Sequence, residues 1–153
     1  MPVLALNKRA KFDYEILETF EAGLVLSGQE VKSVRQGAAS LQGAYVAINQ
    51  KNEASLINAN IPLYKMAGQQ PNYDPTRSRK LLLHRQEINY LAKKLQQPGL
   101  TIVPISLYTK GRKIKLELGL ARGKKLFDKR KSIKEREEKR RIKAVLKRKS
   151  QNY

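Results

Sequence analysis

The sequence predicts a mainly β domain that runs into a basic, helix-prone tail, and three observations predict it. Residues 113–120 alternate strictly, with Ile114, Leu116, Leu118 and Leu120 on one side and Lys113, Lys115 and Glu117 on the other. That is the period of a half-buried strand. Several other short runs of β-forming residues are separated by Gly, Pro and Asn. After Arg130 the alternation stops. Good helix formers dominate there, and the apolar residues are an isolated Ile133 and one small patch of Ile142, Val145 and Leu146. The division expected is a domain over 1–122 and a tail over 123–153.

The elements follow in chain order. Residues 1–11 end in Asn7-Lys8-Arg9-Ala10-Lys11 and read as a short basic arm or an ordinary solvated terminus. Phe12-Asp13-Tyr14-Glu15-Ile16 alternates as a strand, Glu21-Ala22-Gly23 turns, and Leu24-Val25-Leu26 continues as a second strand that Gly28 breaks. Glu30 to Arg35 reads as a short helix with Gly37 as its left-handed stop. Val31 and Val34 would share one face of it, and Lys32 and Arg35 another. Glu30 at its start favours the positive end of the helix dipole, the role of a cap.

Ala44 to Ile48 and Ala54 to Ile61 flank five polar residues and predict a hairpin. The irregular stretch 62–76 holds Tyr64 and Tyr73, which either stack on bases or pin the loop. Arg77-Ser78-Arg79-Lys80 leads into Leu81-Leu82-Leu83. Ile88, Leu91, Ala92 and Leu95 then fall on one helical face, with His84 in the cap seat and Glu87 three residues on. Pro98-Gly99 ends that helix. Thr101 to Tyr108 is strand-like, and Pro104 inside it demands an edge or a bulge. Many short strands with a helix before the last two fit a small closed β-barrel of the oligonucleotide-binding type.

The chain holds 32 Lys+Arg against 13 Asp+Glu, a net charge of +19. Residues 122–149 carry 15 Lys/Arg and 4 Asp/Glu, so +8 remains for the rest and the barrel needs a positive face of its own. Such an excess points to a polyanionic partner. There is no Cys and one His, which excludes thiol catalysis, disulfides and an ordinary zinc site. No metal, cofactor or membrane span is expected. Gly119-Leu120-Ala121-Arg122-Gly123-Lys124-Lys125 is one residue short of a phosphate loop and has Lys125 where Ser or Thr must meet magnesium. With no acid–base constellation either, the chain is read as no enzyme. In 122–130, Phe127 sits among Arg122, Lys124, Lys125, Lys129 and Arg130. This reads as an RNA contact, ring on base and cations on phosphate, or as a hinge with Phe127 plugged against the domain. The tail lacks a continuous apolar face, so it is expected to be disordered alone and helical against a polyanion.

Five stretches now stand in one order: Asn7-Lys8-Arg9-Ala10, Ala22-Gly23-Leu24, Gly28-Gln29-Glu30-Val31-Lys32-Ser33-Val34-Arg35, Asp74-Pro75-Thr76-Arg77-Ser78-Arg79-Lys80-Leu81-Leu82-Leu83, and Gly123-Lys124-Lys125-Leu126-Phe127-Asp128-Lys129-Arg130. Together they resemble the bacterial SsrA-binding protein family over essentially the whole chain. The resemblance implies a six-stranded antiparallel barrel related to oligonucleotide-binding folds, with short flanking helices and a tail unstructured in solution. It implies a cytoplasmic RNA-binding adaptor of trans-translation. Such an adaptor binds the tRNA-like part of transfer-messenger RNA (tmRNA, SsrA RNA) in place of an anticodon arm. It delivers that RNA, alanine-charged and with elongation factor Tu, to stalled ribosomes.

The resemblance also implies sites. The tmRNA face would fall on Glu30, Leu83, His84 and Lys115, with Lys32, Arg35, Arg79 and Lys80 completing it. Glu30 would then accept hydrogen bonds from ribose hydroxyls or base amino groups. Contact with the decoding centre of the small-subunit rRNA would fall on Gly123, Lys124, Lys125, Phe127, Asp128, Lys129 and Arg130. Phe127 keeps a ring where relatives carry an aromatic or His. In the empty mRNA channel, Lys134, Arg136, Lys139, Arg140 and Lys143 are the tail contacts. The chain would act as a monomer. The competing reading is a ribosomal protein whose basic extension is embedded in rRNA.

Overall fold

A computed structural model of the chain describes residues 2–124 and 126–151. It comprises two compact units, Met1–Gly123 and Lys124–Tyr153. Among the described residues, the first unit has seven strands: β1 (Val3–Leu6), β2 (Tyr14–Leu24), β3 (Tyr45–Ile48), β4 (Ala54–Ile57), β5 (Arg79–Leu82), β6 (Leu100–Lys110) and β7 (Lys113–Gly123). They form one antiparallel sheet in the order β1-β6-β3-β4-β5-β2-β7. Because β6 also pairs with β7, the six strands from β2 to β7 close into a ring, the barrel expected from the sequence.

β1 is an addition to that ring, where the sequence reading placed a basic arm. Val3, Ala5 and Leu6 pair with Tyr108, Leu107 and Ser106 of β6. β6 is long enough to serve three neighbours: it meets β7 along its length, β3 at Ile102 and β1 beyond the bulge. That bulge lies between Pro104 and Ser106, where the missing proline N–H breaks the ladder. Asn7 fixes the crossing there, donating its backbone N–H to Ile105 O at 2.8 Å and its side chain to Pro104 O at 2.9 Å.

Two boundaries differ from the alternation pattern. Phe12 and Asp13 belong to a one-turn helix, α1 (Ala10–Asp13), whose Ala10 is buried with Val103 and Ala121. Glu21-Ala22-Gly23 does not turn. β2 runs unbroken for 11 residues because β7 pairs with it from Tyr14↔Gly123 to Gly23↔Lys115. Long-range pairing on both sides overrides the local signal of a strand glycine.

The remaining elements follow their local chemistry. α2 (Gly28–Arg35) starts on Ser27 and stops at Gly37, whose φ of +77° is the left-handed conformation glycine favours. The β3–β4 turn is closed by Asn49 Oδ1, which accepts from the N–H groups of Lys51 and Glu53. α3 (Arg85–Leu95) begins at His84, whose N–H donates to the Glu87 carboxylate at 3.2 Å, and buries Leu91. The barrel interior is filled by Leu56, Leu81, Ile102, Leu107, Leu116, Leu118 and Leu120, all fully or almost fully buried.

In the second unit the backbone forms one helix, α4 (Leu126–Gln151), about 39 Å long at 1.5 Å per residue. The tail that the sequence marks as helix-prone is a helix here. Local chemistry accounts for this: helix formers dominate, and Glu135/Lys139 and Glu137/Arg141 stand at the favourable i, i+4 spacing. Ile133 and Ile142 remain exposed on it.

Candidate RNA interface

The site is built on a buried charge cluster under the long loop. Ser27 and Glu30 form a reciprocal cap: Ser27 N–H donates to Glu30 Oε1 at 2.9 Å, and Glu30 N–H to Ser27 Oγ at 3.4 Å. Glu30 is 0% exposed, and so is Arg79. Arg79 donates Nε and Nη2 to Glu30 Oε2 at 2.9 and 2.7 Å, and its other N–H groups reach Ala59 O and Pro75 O. Arg77 donates to both Glu30 oxygens. The Tyr73 hydroxyl has one proton and gives it to Ile61 O at 2.6 Å; it accepts from Arg79 Nη2 at 3.3 Å. Burial pushes the Glu30 carboxyl up, but Arg77, the Ser27 N–H and Arg79 outweigh it and hold it at about 2.

This geometry puts two of the residues implied by the resemblance beneath the surface. Glu30 and Arg79, both implied as tmRNA contacts, are fully buried here. They hold the loop from Pro62 to Ser78 between α2 and β5 and set Arg77, partly exposed, at the surface. Tyr73 pins the loop. Tyr64 belongs to the same device: its N–H donates to Gln29 Oε1 at 2.9 Å, and Lys32 Nζ lies 5.7 Å from its ring centroid.

Outside the cluster, β5 sorts its residues by the strand period. Arg79 and Leu81 point in; Lys80 and Leu82 point out. Leu83 is partly buried against the core, and Leu82, 54% exposed, is the outward apolar residue of β5; both border one hollow. Lys115 faces outward from β7 and His84 is exposed at the start of α3. Arg35 donates Nη2 to Arg112 O at 2.7 Å, which ties α2 to the β6–β7 turn.

Two hollows share Leu82. One, of about 340 Å³, lies between the β3–β4 turn and α3 and is bordered by Lys51, Lys80 and Arg85, with Glu53 as its one carboxylate. The other, of about 320 Å³, is bordered by Arg112, Lys113 and Lys115. The two form a cationic band across β5, β2 and β7. Lys51, Arg85, Arg112 and Lys113 were not singled out as contacts from the sequence. Lys113 could have been found, because it shares the outward set of Lys115; the others stand in turns or at a helix start, where alternation gives no direction.

Of the second candidate group, Gly123 ends β7 opposite Tyr14, and Lys124 begins the second unit. Lys125 lies outside the described residues, as do the side chains of Phe127, Asp128 and Lys129. Arg130 is exposed on α4. So are Lys134, Arg136, Lys139, Arg140 and Lys143. Arg136, Lys139, Arg140 and Lys143 fall at i, i+3, i+4, i+7 and make one basic stripe.

Among the described residues no group of three or more His, Cys, Asp and Glu could hold a metal, and no helix is long and apolar enough to cross a membrane. A family model described as SmpB protein matches residues 4–148. An SsrA-binding protein of Mesoplasma florum is 55% identical over 135 residues, 88% of this chain and 90% of that protein. One of Acaryochloris marina is 52% identical over 146 residues, 95% of this chain and 94% of that protein. A chain from a solved structure described as "tmRNA-SmpB: a journey to the center of the bacterial ribosome" is 48% identical, with a TM-score of 0.67 over 82% of this chain and 87% of that one. A match of this extent to the family model, joined to relatives about half identical along nearly the whole sequence, shows that the chain belongs to the SmpB, or SsrA-binding protein, family.

Proposed function

We propose that this protein is the RNA-binding adaptor of trans-translation, which binds the tRNA-like domain of tmRNA and brings it to stalled ribosomes for rescue and tagging. The observation that carries the reading is the outer face of the barrel: a band of cations around exposed Leu82, on a chain 48% identical to one described in a tmRNA-SmpB ribosome structure. Such a face binds RNA through phosphate neutralisation and non-polar contact with bases.

Lys80, Lys115 and His84 contact tmRNA directly in this reading, with Lys32 and Arg35 at the edge of the same face. Glu30 and Arg79 act from beneath as positioning residues. The segment from Gly123 to Arg130 meets the decoding centre, and the stripe of α4 follows the empty mRNA channel. Elongation factor Tu is met through the charged tmRNA. The protein works as a monomer in the cytoplasm, and its part in rescue is binding and placement, with no catalytic step.

The test is a pull-down of the full chain from a bacterial lysate, with the bound RNA sequenced. The expected result is tmRNA as the dominant species. Ribosomal RNA bound without tmRNA overturns the reading and makes the chain a ribosomal component.

A further inference from the structure

The hollow of about 340 Å³ has two walls and a floor. Lys51, Asn52 and Glu53 of the β3–β4 turn make one wall, and Arg85 and Ile88 of α3 make the other. Lys80, Leu82 and Leu83 lie between them. The walls are tied to each other, because Asn52 Nδ2 donates to Asn89 Oδ1 of α3 at 3.2 Å. The turn is set by its own polar groups. Asn49 Oδ1 accepts from the N–H groups of Lys51 and Glu53, the Asn49 N–H donates to Glu53 O, and Asn52 takes a left-handed φ of +58°, which asparagine tolerates. The volume falls within the range of small-molecule sites, about 300–1,000 Å³.

Three cations and one carboxylate border this hollow, and the carboxylate is the group that needs a reason. A groove that only neutralised phosphate would do better without Glu53, because its charge repels what Lys51, Lys80 and Arg85 attract. The fold does not use the Glu53 side chain. The turn takes only its backbone, and among the described residues its carboxylate enters no hydrogen bond or ion pair. It shares the hollow with apolar surface: Leu82 is 54% exposed, and Leu83 and Ile88 are partly buried.

From this arrangement we propose that the hollow is a subsite for one unstacked base that bears an amino group, with Glu53 as its specificity-determining residue. The base lies against Leu82 and Ile88. Its amino group, N4 of cytosine, N6 of adenine or N2 of guanine, donates to the Glu53 carboxylate. Lys51, Lys80 and Arg85 meet the phosphates on either side of it. Uracil is disfavoured. It has no amino group, and its one ring N–H is flanked by two carbonyl oxygens that a carboxylate repels. The subsite rests on the tmRNA-binding reading for the identity of the RNA, but its chemistry is that of any single-stranded nucleotide.

The experiment titrates the full chain, labelled at Leu and Ile methyl groups, with CMP, UMP and ribose 5-phosphate. The expected result is that the Leu82, Leu83 and Ile88 methyls shift with CMP at about a tenth of the concentration that UMP needs, and stay in place with ribose 5-phosphate. Equal shifts with CMP and UMP, equal shifts with ribose 5-phosphate, or no methyl shift up to the solubility limit overturn the subsite. Glu53→Ala should erase the CMP preference and weaken tmRNA binding about tenfold. Its melting temperature should hold, because the turn uses only the backbone of that residue. The sign of the change in tmRNA binding decides the role. A carboxylate that merely stood near the RNA would repel phosphate, and its removal would tighten binding. Tighter or unchanged tmRNA binding by Glu53→Ala therefore overturns the subsite and leaves the adaptor reading standing. Failure of the unaltered chain to bind tmRNA overturns the adaptor reading alone, because the mononucleotide titration does not depend on it.

Discussion

In the unit Met1–Gly123, the strand cations of the outer band, Lys80, Lys113 and Lys115, stand on backbone whose register is set by a filled interior: Lys115 points out because Leu116 is fully buried beside it. In the unit Lys124–Tyr153 the basic stripe of Arg136, Lys139, Arg140 and Lys143 is ordered by helix periodicity alone, with Ile133 and Ile142 exposed on the same helix. The first arrangement presents charges at fixed separations and suits an RNA of fixed shape. The second is a rod of charge about 39 Å long and suits a channel. The two ways of holding charge predict different losses when each is damaged.

The largest expected effect comes from removing residues 131–153. Tagging of nascent chains in a translation extract programmed with a message lacking a stop codon should fall to background. The melting temperature of the barrel and its tmRNA affinity, measured by filter binding, should change little. A barrel that melts lower without the tail would break the contrast between the units.

Next comes the buried cluster. Removing the carboxylate in Glu30→Ala leaves Arg79 charged, fully buried and short of its main partner, at a cost of about 3–5 kcal/mol. Thermal denaturation should show the loss, while the helical circular dichroism of α4 persists. The cluster also sets an acid limit. Glu30 is depressed to about 2 when folded, against about 4.3 for a free Glu, so its stabilisation is complete above about pH 4.3 and lost as pH falls toward 2. The stability gap between the unaltered chain and Glu30→Gln should close across that window; a gap constant down to pH 2 would mean the carboxylate is not held down.

A smaller effect separates the two kinds of charge. Replacing Lys113 and Lys115 by Gln should lower the salt slope of tmRNA binding by about 0.9 per lost phosphate contact. The same change at Lys139 and Lys143 should leave that slope as it is. Equal reductions would show that tmRNA does not distinguish barrel from tail.

How much of this was legible in the sequence follows from the range of the interactions. The strand β7, the helix α3 and the β3–β4 hairpin are written in local periodicity and turn chemistry, and the structure has them where alternation and capping put them. The continuity of β2 was not legible, because it depends on β5 and β7, roughly 60 and 100 residues away in the chain. The outward residue of the Leu81-Leu82-Leu83 run needed the register of β5, and a one-residue shift reverses the faces. The cap half of Glu30's environment was visible three residues away at Ser27. Its Arg77 and Arg79 partners lie 47 and 49 residues off, and only the fold shows that they consume the carboxylate.

Tyr73→Phe gives the smallest effect and the finest test of how the loop is held. The ring stays, and the hydroxyl proton that Ile61 O received at 2.6 Å is lost. Ile61 is 1% exposed, so its carbonyl is left without that donor in a nearly dry place. Arg79 keeps Glu30, Ala59 O and Pro75 O and still ties β5 to the loop. The cost should be about 1 kcal/mol, seen as a drop of about 4–8 °C in melting temperature for a domain near 100 residues. tmRNA affinity should be unchanged, because Lys80 and Leu82 face outward from β5, which Arg79 still anchors through Glu30, Ala59 O and Pro75 O, and Lys115 stands on β7. An affinity loss without a melting shift would move Tyr73 from under the interface onto it, and would make the loop a second RNA contact beside the barrel face.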